Sequence, residues 1–159
     1  MRYYDSYLRW LYRGGRPSRF ARLQNRASAA VFAAGIFPRW TAELQVRGRR
    51  SGRLVSLPVV IADFEGERYL VSMLGENVNW VRNLKAADYQ AVLRHGIREN
   101  VRLWEVPVAA RAPILRRYLR LAPGARPHIP VDFRAPVAEF EKVAADYPVF
   151  RIDPGPGGR

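Results

Sequence analysis

The sequence predicts an α+β fold, one antiparallel barrel with helices at its ends and around its periphery. Three observations predict it. Most of residues 42–108 alternate apolar and polar side chains in short runs between Gly-bearing turns, the pattern of half-buried strands. Before residue 38 and after residue 113 apolar residues recur at intervals of three and four instead, as in amphipathic helices. A length of 159 residues makes one domain with a real core and is short for two. Strands in the middle and helices at the ends fit a barrel-centred architecture.

Taken in order, residues 2–12 predict a first helix, with Tyr3, Tyr4, Tyr7, Leu8, Trp10, Leu11 and Tyr12 on one arc and Arg2, Asp5, Ser6, Arg9 and Arg13 on the other. Gly14-Gly15 ends it and Pro17-Ser18 restarts the chain. A second helix is predicted over 19–34, with Phe20, Leu23, Ala27, Val31 and Ala34 as its stripe. Strands come next over 42–47 and 54–64, joined by the 48–52 turn, then over 68–73 after a Glu65-Gly66-Glu67 turn. Residues 79–86 have helical spacing, with Trp80, Asn83, Leu84 and Ala87 three or four apart. Two more strands are predicted over 89–94 and 101–108 around His95-Gly96, then helices over 113–121 and 137–146 and a last strand over 148–152. The expected organisation is a single domain over 1–153, made of a helical segment (1–38) and the barrel with its packed helices (39–153), with a loose Gly/Pro-rich tail over 154–159.

Composition removes several kinds of chemistry. There are no cysteines, hence no disulfide scaffold, thiol nucleophile or thiolate metal site. The two histidines, His95 and His128, are far apart in turn-like contexts, and neither belongs to a metal-spaced cluster. No Ser-centred nucleophile elbow and no Walker-type or Rossmann glycine pattern is present. Glu65 and Glu67 share a turn and read as solvated rather than as a hydrolytic pair. If the chain is an enzyme, a cofactor carries its chemistry. No apolar run has the length of a membrane span and the N-terminus lacks the layout of a signal peptide, so a cytoplasmic location is expected.

The formal charge is +13, and residues 1–53 hold twelve arginines against Asp5 and Glu43. Besides solubility, such a balance points to a phosphate-bearing ligand, an anionic membrane or nucleic acid. Nucleic acid is the least favoured, because outside the first helix the basic residues are not interleaved with aromatics along a strand face. The densest basic stretch is Arg47-Gly48-Arg49-Arg50-Ser51-Gly52-Arg53. Its glycines allow a tight turn with exposed N–H groups, ringed by a hydroxyl and guanidinium forks, which is what an anionic phosphate requires. A basic hairpin turn with no ligand has the same composition.

Residues downstream of the turn narrow the reading: Pro58, Ser72 at the end of the third predicted strand, then Asn79-Trp80-Val81-Arg82-Asn83-Leu84-Lys85-Ala86, and Tyr147-Pro148-Val149-Phe150-Arg151 near the end. This ordered set, over roughly residues 40–152, resembles the deazaflavin-dependent nitroreductase family. There a Gly-Arg-(Arg/Lys)-Ser-Gly turn, a downstream Pro, a strand-end Ser and a Trp-x-x-Asn-Leu-Lys-Ala helix recur in that order. The resemblance implies a split β-barrel of the FMN-binding-like kind with reduced deazaflavin, coenzyme F-420, in a groove. By position, Gly48, Arg49, Arg50, Ser51 and Gly52 would hold the phosphate region, Pro58 and Ser72, with Met73 after it, would border the ring, and Trp80, Asn83 and Lys85 would brace the neighbouring helix and the oligoglutamate tail. Trp80 has a plain alternative as core packing, and Asn83 as a turn cap. This chain has Val55 where the family often has arginine, and Met73-Leu74-Gly75 where it commonly has lysine and two glycines.

The expected activity is hydride transfer from the reduced coenzyme to a quinone, nitro compound or activated alkene, with no catalytic side chain or metal assigned. The alternatives are FMN or haem in the same groove, or a non-catalytic carrier of a lipophilic ligand, the last motivated by Met73 and Leu74. Expected partners are the small-molecule acceptor and, by analogy with split barrels, a second copy of the chain. The aromatic face of residues 2–12 has two readings, packing on the barrel and peripheral contact with the inner membrane surface.

Overall fold

The structure, a computed structural model, describes residues 39–157. The helices expected over 2–12 and 19–34, and the membrane reading attached to the first, lie outside those residues. Seven strands and three helices succeed one another in this order: β1 (Thr41–Arg47), β2 (Leu54–Val60), β3 (Ala62–Phe64), β4 (Glu67–Val71), α1 (Asn79–Ala86), β5 (Gln90–His95), β6 (Ile97–Glu105), α2 (Val108–Leu121), α3 (Val137–Glu141) and β7 (Val149–Pro154), with short 3-10 turns at Pro123–Ala125 and Ala144–Asp146.

All seven strands pair antiparallel in one sheet of order β2-β1-β5-β6-β7-β4-β3. β2 and β3 are consecutive in the chain, separated only by Ile61, yet they form the sheet's two opposite edges. One residue reaches at most about 3.6 Å, so the sheet has to curl until its edges meet. They meet at Ile61, whose N–H donates to the Trp40 carbonyl at 2.6 Å, but β2 and β3 share no ladder. The result is a curled sheet with a slit along one side, an open, split barrel.

The β1–β2 hairpin shows why Pro58 is tolerated. Hydrogen bonds from Ile61 N–H to Trp40 and from Gly48 N–H to Arg53 fix the ladder's phase, with Glu43 and Pro58 as a non-hydrogen-bonded pair. The Pro58 nitrogen therefore points out from the sheet edge, where it removes no ladder bond and blocks strand addition.

Two apolar clusters sit on the two faces of the sheet. One joins Ala42, Leu44 and Val46 of β1 with Leu93, Leu103, Phe150 and Ile152, and is closed by Val81 and Leu84 of α1. The other packs Ala112, Leu115 and Leu119 of α2 and Phe140 of α3 on Ala62, Val71 and Val149. β7 serves both, since successive side chains alternate in face: Val149 belongs to one cluster and Phe150 to the other.

Several boundaries differ from expectation. The expected strand over 54–64 is two strands. The strand expected over 68–73 ends at Val71, leaving Ser72 just beyond it with its N–H donated to Pro148 at 2.9 Å. β6 begins at Ile97, earlier than expected, since Arg98, Glu99 and Asn100 are polar on both faces of the strand and carry no alternation to mark it. α2 begins at Val108 and runs through Pro113. The helix expected over 137–146 stops at Glu141, and the next 3-10 turn presents the Ala144 carbonyl to Arg111 Nη1 at 3.2 Å. β7 extends through Pro154, and Gly155 N–H donates to Asn100 at 2.9 Å, so pairing continues into the expected tail. A Cβ at Gly155 would stand 3.0 Å from the Val101 nitrogen and 3.1 Å from the Asn100 carbonyl carbon. Gly155→Ala is accordingly expected to cost about 1–3 kcal/mol through forced backbone movement, read as a fall in Tm of about 2–4 °C per kcal/mol; an unchanged Tm would show that β7 frays there without cost.

Candidate functional site

The basic turn is built by its glycines and held from behind by α1. Gly48 N–H donates to Arg53 at 2.8 Å and Gly52 N–H to Gly48 at 2.9 Å, closing a five-residue loop. Gly52 has φ +68°, and a Cβ on Gly48 would lie 2.8 Å from Ser51 Oγ. A side chain at the first would be strained by backbone conformation, and one at the second would have to displace the Ser51 hydroxyl. Arg47 Nη1 donates to the Gly52 carbonyl at 2.7 Å. The link to the helix is Asn83, only 6% exposed: its Oδ1 accepts from Arg49 N–H at 3.2 Å and from Arg49 Nη1 at 2.8 Å. Asn83 is thus the strut of the turn rather than a cap of its own helix.

Donors are left over. Among the described residues, the N–H groups of Arg50 and Ser51 make no hydrogen bond, and the guanidinium groups of Arg49, Arg50 and Arg53 touch no carboxylate. Ser51 Oγ accepts from Arg53 N–H at 3.2 Å and keeps its own proton to donate. Unspent donors and cations are thus concentrated on one exposed loop, the donor set an oxyanion requires.

The other residues singled out from the sequence disperse. Pro58 is on the β2 edge. Ser72 is buried and donates its hydroxyl to Gly75 at 2.5 Å, inside its own loop. Met73 packs against the α2 cluster. Trp80 packs against the α1 cluster and meets Phe150 edge-on, centroids 5.6 Å apart at 66°, so its core role is visible. Lys85 is held by Glu76 at 2.5 Å, with Glu105 at 4.0 Å. The bond to Glu76 raises the ammonium's pKa and lowers that of Glu76, so an incoming anion has to compete with a carboxylate there. Val55 is 43% exposed, leaving an apolar surface beside the turn.

Sequence reasoning missed three features. β1 carries Thr41, Glu43 and Gln45 on the side away from the apolar cluster, and all three are buried; an alternating strand gives no sign that its polar side is covered as well. Arg111 in α2 is a buried guanidinium. Along β6, Arg98, Asn100, Arg102 and Trp104 share one face, with the Arg102 guanidinium 4.8 Å above the Trp104 ring, so basic and aromatic residues do interleave on this strand. Among the described residues there is no group of three or more side chains able to hold a metal ion, and no helix long and apolar enough to cross a membrane.

No family model and no curated protein matches the chain. Solved structures do. A chain described as a domain-swapped dimer is 16% identical with a TM-score of 0.51, over 86% of this chain and 100% of its own. A protein from Listeria innocua described as a candidate pyridoxamine 5′-phosphate oxidase is 8% identical with a TM-score of 0.50, over 82% of this chain and 94% of its own. The F420-H2 dependent reductase FDR-A, 20% identical over 72% of this chain and 95% of its own, has a TM-score of 0.42, below the level at which likeness carries an argument. The first two share the fold alone with this chain: a seven-stranded antiparallel sheet curled into an open, split barrel.

Proposed function

We propose that this chain is a reductase that binds reduced deazaflavin coenzyme F-420 and serves a quinone, nitro or activated-alkene acceptor. The observation that carries the reading is the arginine turn braced by Asn83, whose outward donors are unspent. That donor set fits the anionic arm of the coenzyme: Arg50 and Ser51 N–H, the Ser51 hydroxyl and the Arg49, Arg50 and Arg53 guanidinium groups would hold its phosphate, with Gly48 and Gly52 keeping the loop tight. The bound coenzyme supplies a hydride from its reduced ring. The chain's own part is to orient and to exclude water. Pro58 on the β2 edge would border the flat ring; Val55 lies on the strand's opposite face, exposed beside the turn. Ser72 is buried with its hydroxyl committed to Gly75, so it would shape the loop beside the ring rather than donate to it. Met73, Trp80 and Lys85 act through packing and through the position of α1. The reading takes the chain as one cytoplasmic domain able to pair with a second copy.

FMN also carries a phosphate, so the same turn would serve it. The non-catalytic reading draws on exposed Leu54 and Val55 next to the turn, which suit a lipophilic ligand or haem. Titration separates these. Reduced coenzyme should quench the protein's fluorescence saturably, and Arg50→Ala should weaken binding about tenfold or more, the loss of one charge-assisted contact. Wild-type chain giving no saturable signal with the deazaflavin removes the reading; saturation by FMN or by a fatty acid instead selects the corresponding alternative.

A further inference from the structure

Beside the turn, on the side of the sheet that carries Glu43, an open groove of about 410 Å³ crosses β1, β5 and β6. Its floor is one cross-strand row, Gln45–Val92–Asn100, set by the ladder register. Arg47 and Arg98 stand on opposite sides of that row, Arg47 one pair above Gln45 and Arg98 one pair below Asn100. By register they are four residues apart along the strands, about 13 Å, and two strand spacings apart across them, about 10 Å, so roughly 16 Å at Cα, a gap that two long guanidinium side chains reaching inward shorten. No carboxylate lines the groove. Among the described residues Arg98 has no ion-pair partner, while Arg47 spends one donor on Gly52.

Gln45 adds an independent mark. It lines the groove and is only 9% exposed. Its Nε2 donates to Glu43 Oε1 at 3.1 Å, and reversing the amide would set oxygen against carboxylate. The orientation is therefore fixed, and Oε1 is left buried without a donor. A buried acceptor with no partner is uncommon in proteins. The last torsion of a glutamine is soft, so a modest turn of the amide presents Oε1 to the groove.

We propose that this groove is a second ligand site, for a small hydroxy-dicarboxylate, one carboxylate on Arg47, the other on Arg98, and the hydroxyl donating to Gln45 Oε1. Two separated cations with no lining anion call for two separated negative charges, and the orphan acceptor calls for a donor between them. The site does not depend on the deazaflavin reading, since none of its ligand contacts uses Arg50, Ser51 or the β2 edge.

The test is calorimetric titration of the full chain with L-malate, succinate, L-lactate and glycerol 3-phosphate. Malate should bind saturably, and lactate, with one carboxylate, at least about tenfold more weakly. Succinate, lacking the hydroxyl, should bind several-fold more weakly than malate to the wild type and equally to Gln45→Leu. Arg98→Ala should weaken malate about tenfold, whereas Arg50→Ala leaves it unchanged. Malate affinity insensitive to Arg98→Ala, or equal binding of malate and succinate by the wild type, overturns the proposal. Glycerol 3-phosphate binding more tightly than malate makes this a single-ended phosphate site, and single-stranded oligonucleotide binding in place of both assigns the face to nucleic acid; either outcome also overturns it.

Discussion

Replacing Arg111 with alanine is expected to lower stability by about 2–5 kcal/mol, since two buried carbonyls lose their donor at about 1–3 kcal/mol each. Arg111 is 6% exposed. Its Nε donates to the Val106 carbonyl at 2.8 Å, Nη1 to Ala144 at 3.2 Å and Nη2 to Glu105 Oε1 at 3.2 Å. The variant orphans the Val106 and Ala144 carbonyls, each a buried acceptor, while Glu105, 32% exposed, turns to water and Lys85 at little cost. These contacts tie α2 to the end of β6 and to the 3-10 turn before β7, so the loss reaches three elements. Arg111→Lys should recover little, because an ammonium cannot reproduce the planar fork. Arg117→Ala is the contrast: its pair with Asp63 at 2.8 Å is exposed, and about 0–1 kcal/mol is expected. Urea unfolding decides between them by the shift in midpoint at constant slope. An Arg111→Ala loss as small as that of Arg117→Ala would mean that the buried guanidinium is not a strut.

Asn83→Ala should show two separable effects. Losing Oδ1 leaves Arg49 N–H and its guanidinium without their acceptor, an expected loss of about 1–3 kcal/mol. It also frees the turn from α1, so the proposed coenzyme affinity falls about tenfold or more as the loop loses its preorganisation. Asn83→Asp tells the two apart. A carboxylate accepts both Arg49 bonds and should largely restore stability, yet its charge cancels a cation of the site and should leave anion affinity low. If Asn83→Asp binds the reduced coenzyme as well as wild type does, the turn's charge is not what the ligand reads.

Whatever was short-range was legible. The turn at Gly48–Arg53 is closed by bonds between residues at most five apart and by a glycine with positive φ, and residue types encode both. The three-and-four spacing of Trp80, Asn83 and Leu84 is a local property of α1, and the alternation in β5 and in the second half of β6 marked those strands. The succession of strands in the middle and helices after them pointed to a barrel, which the curled seven-stranded sheet forms, open along one side. Where a tertiary partner outweighed local preference, the reading slipped. A captured carbonyl at Ala144 ended a helix early, and α2 kept Pro113 in its interior.

The sequence by itself determined the strand and helix segments, the glycine-pinned basic corner and the absence of thiol chemistry, because each depends on residue type and near-neighbour spacing. Only the tertiary structure decided that β2 and β3 face each other across a slit, that Asn83 rather than a cation braces the corner, and that Glu43, Gln45 and Arg111 are buried. Those are contacts between residues up to fifty-one positions apart, whose free energy depends on which surfaces meet and shed water, and no local pattern records that.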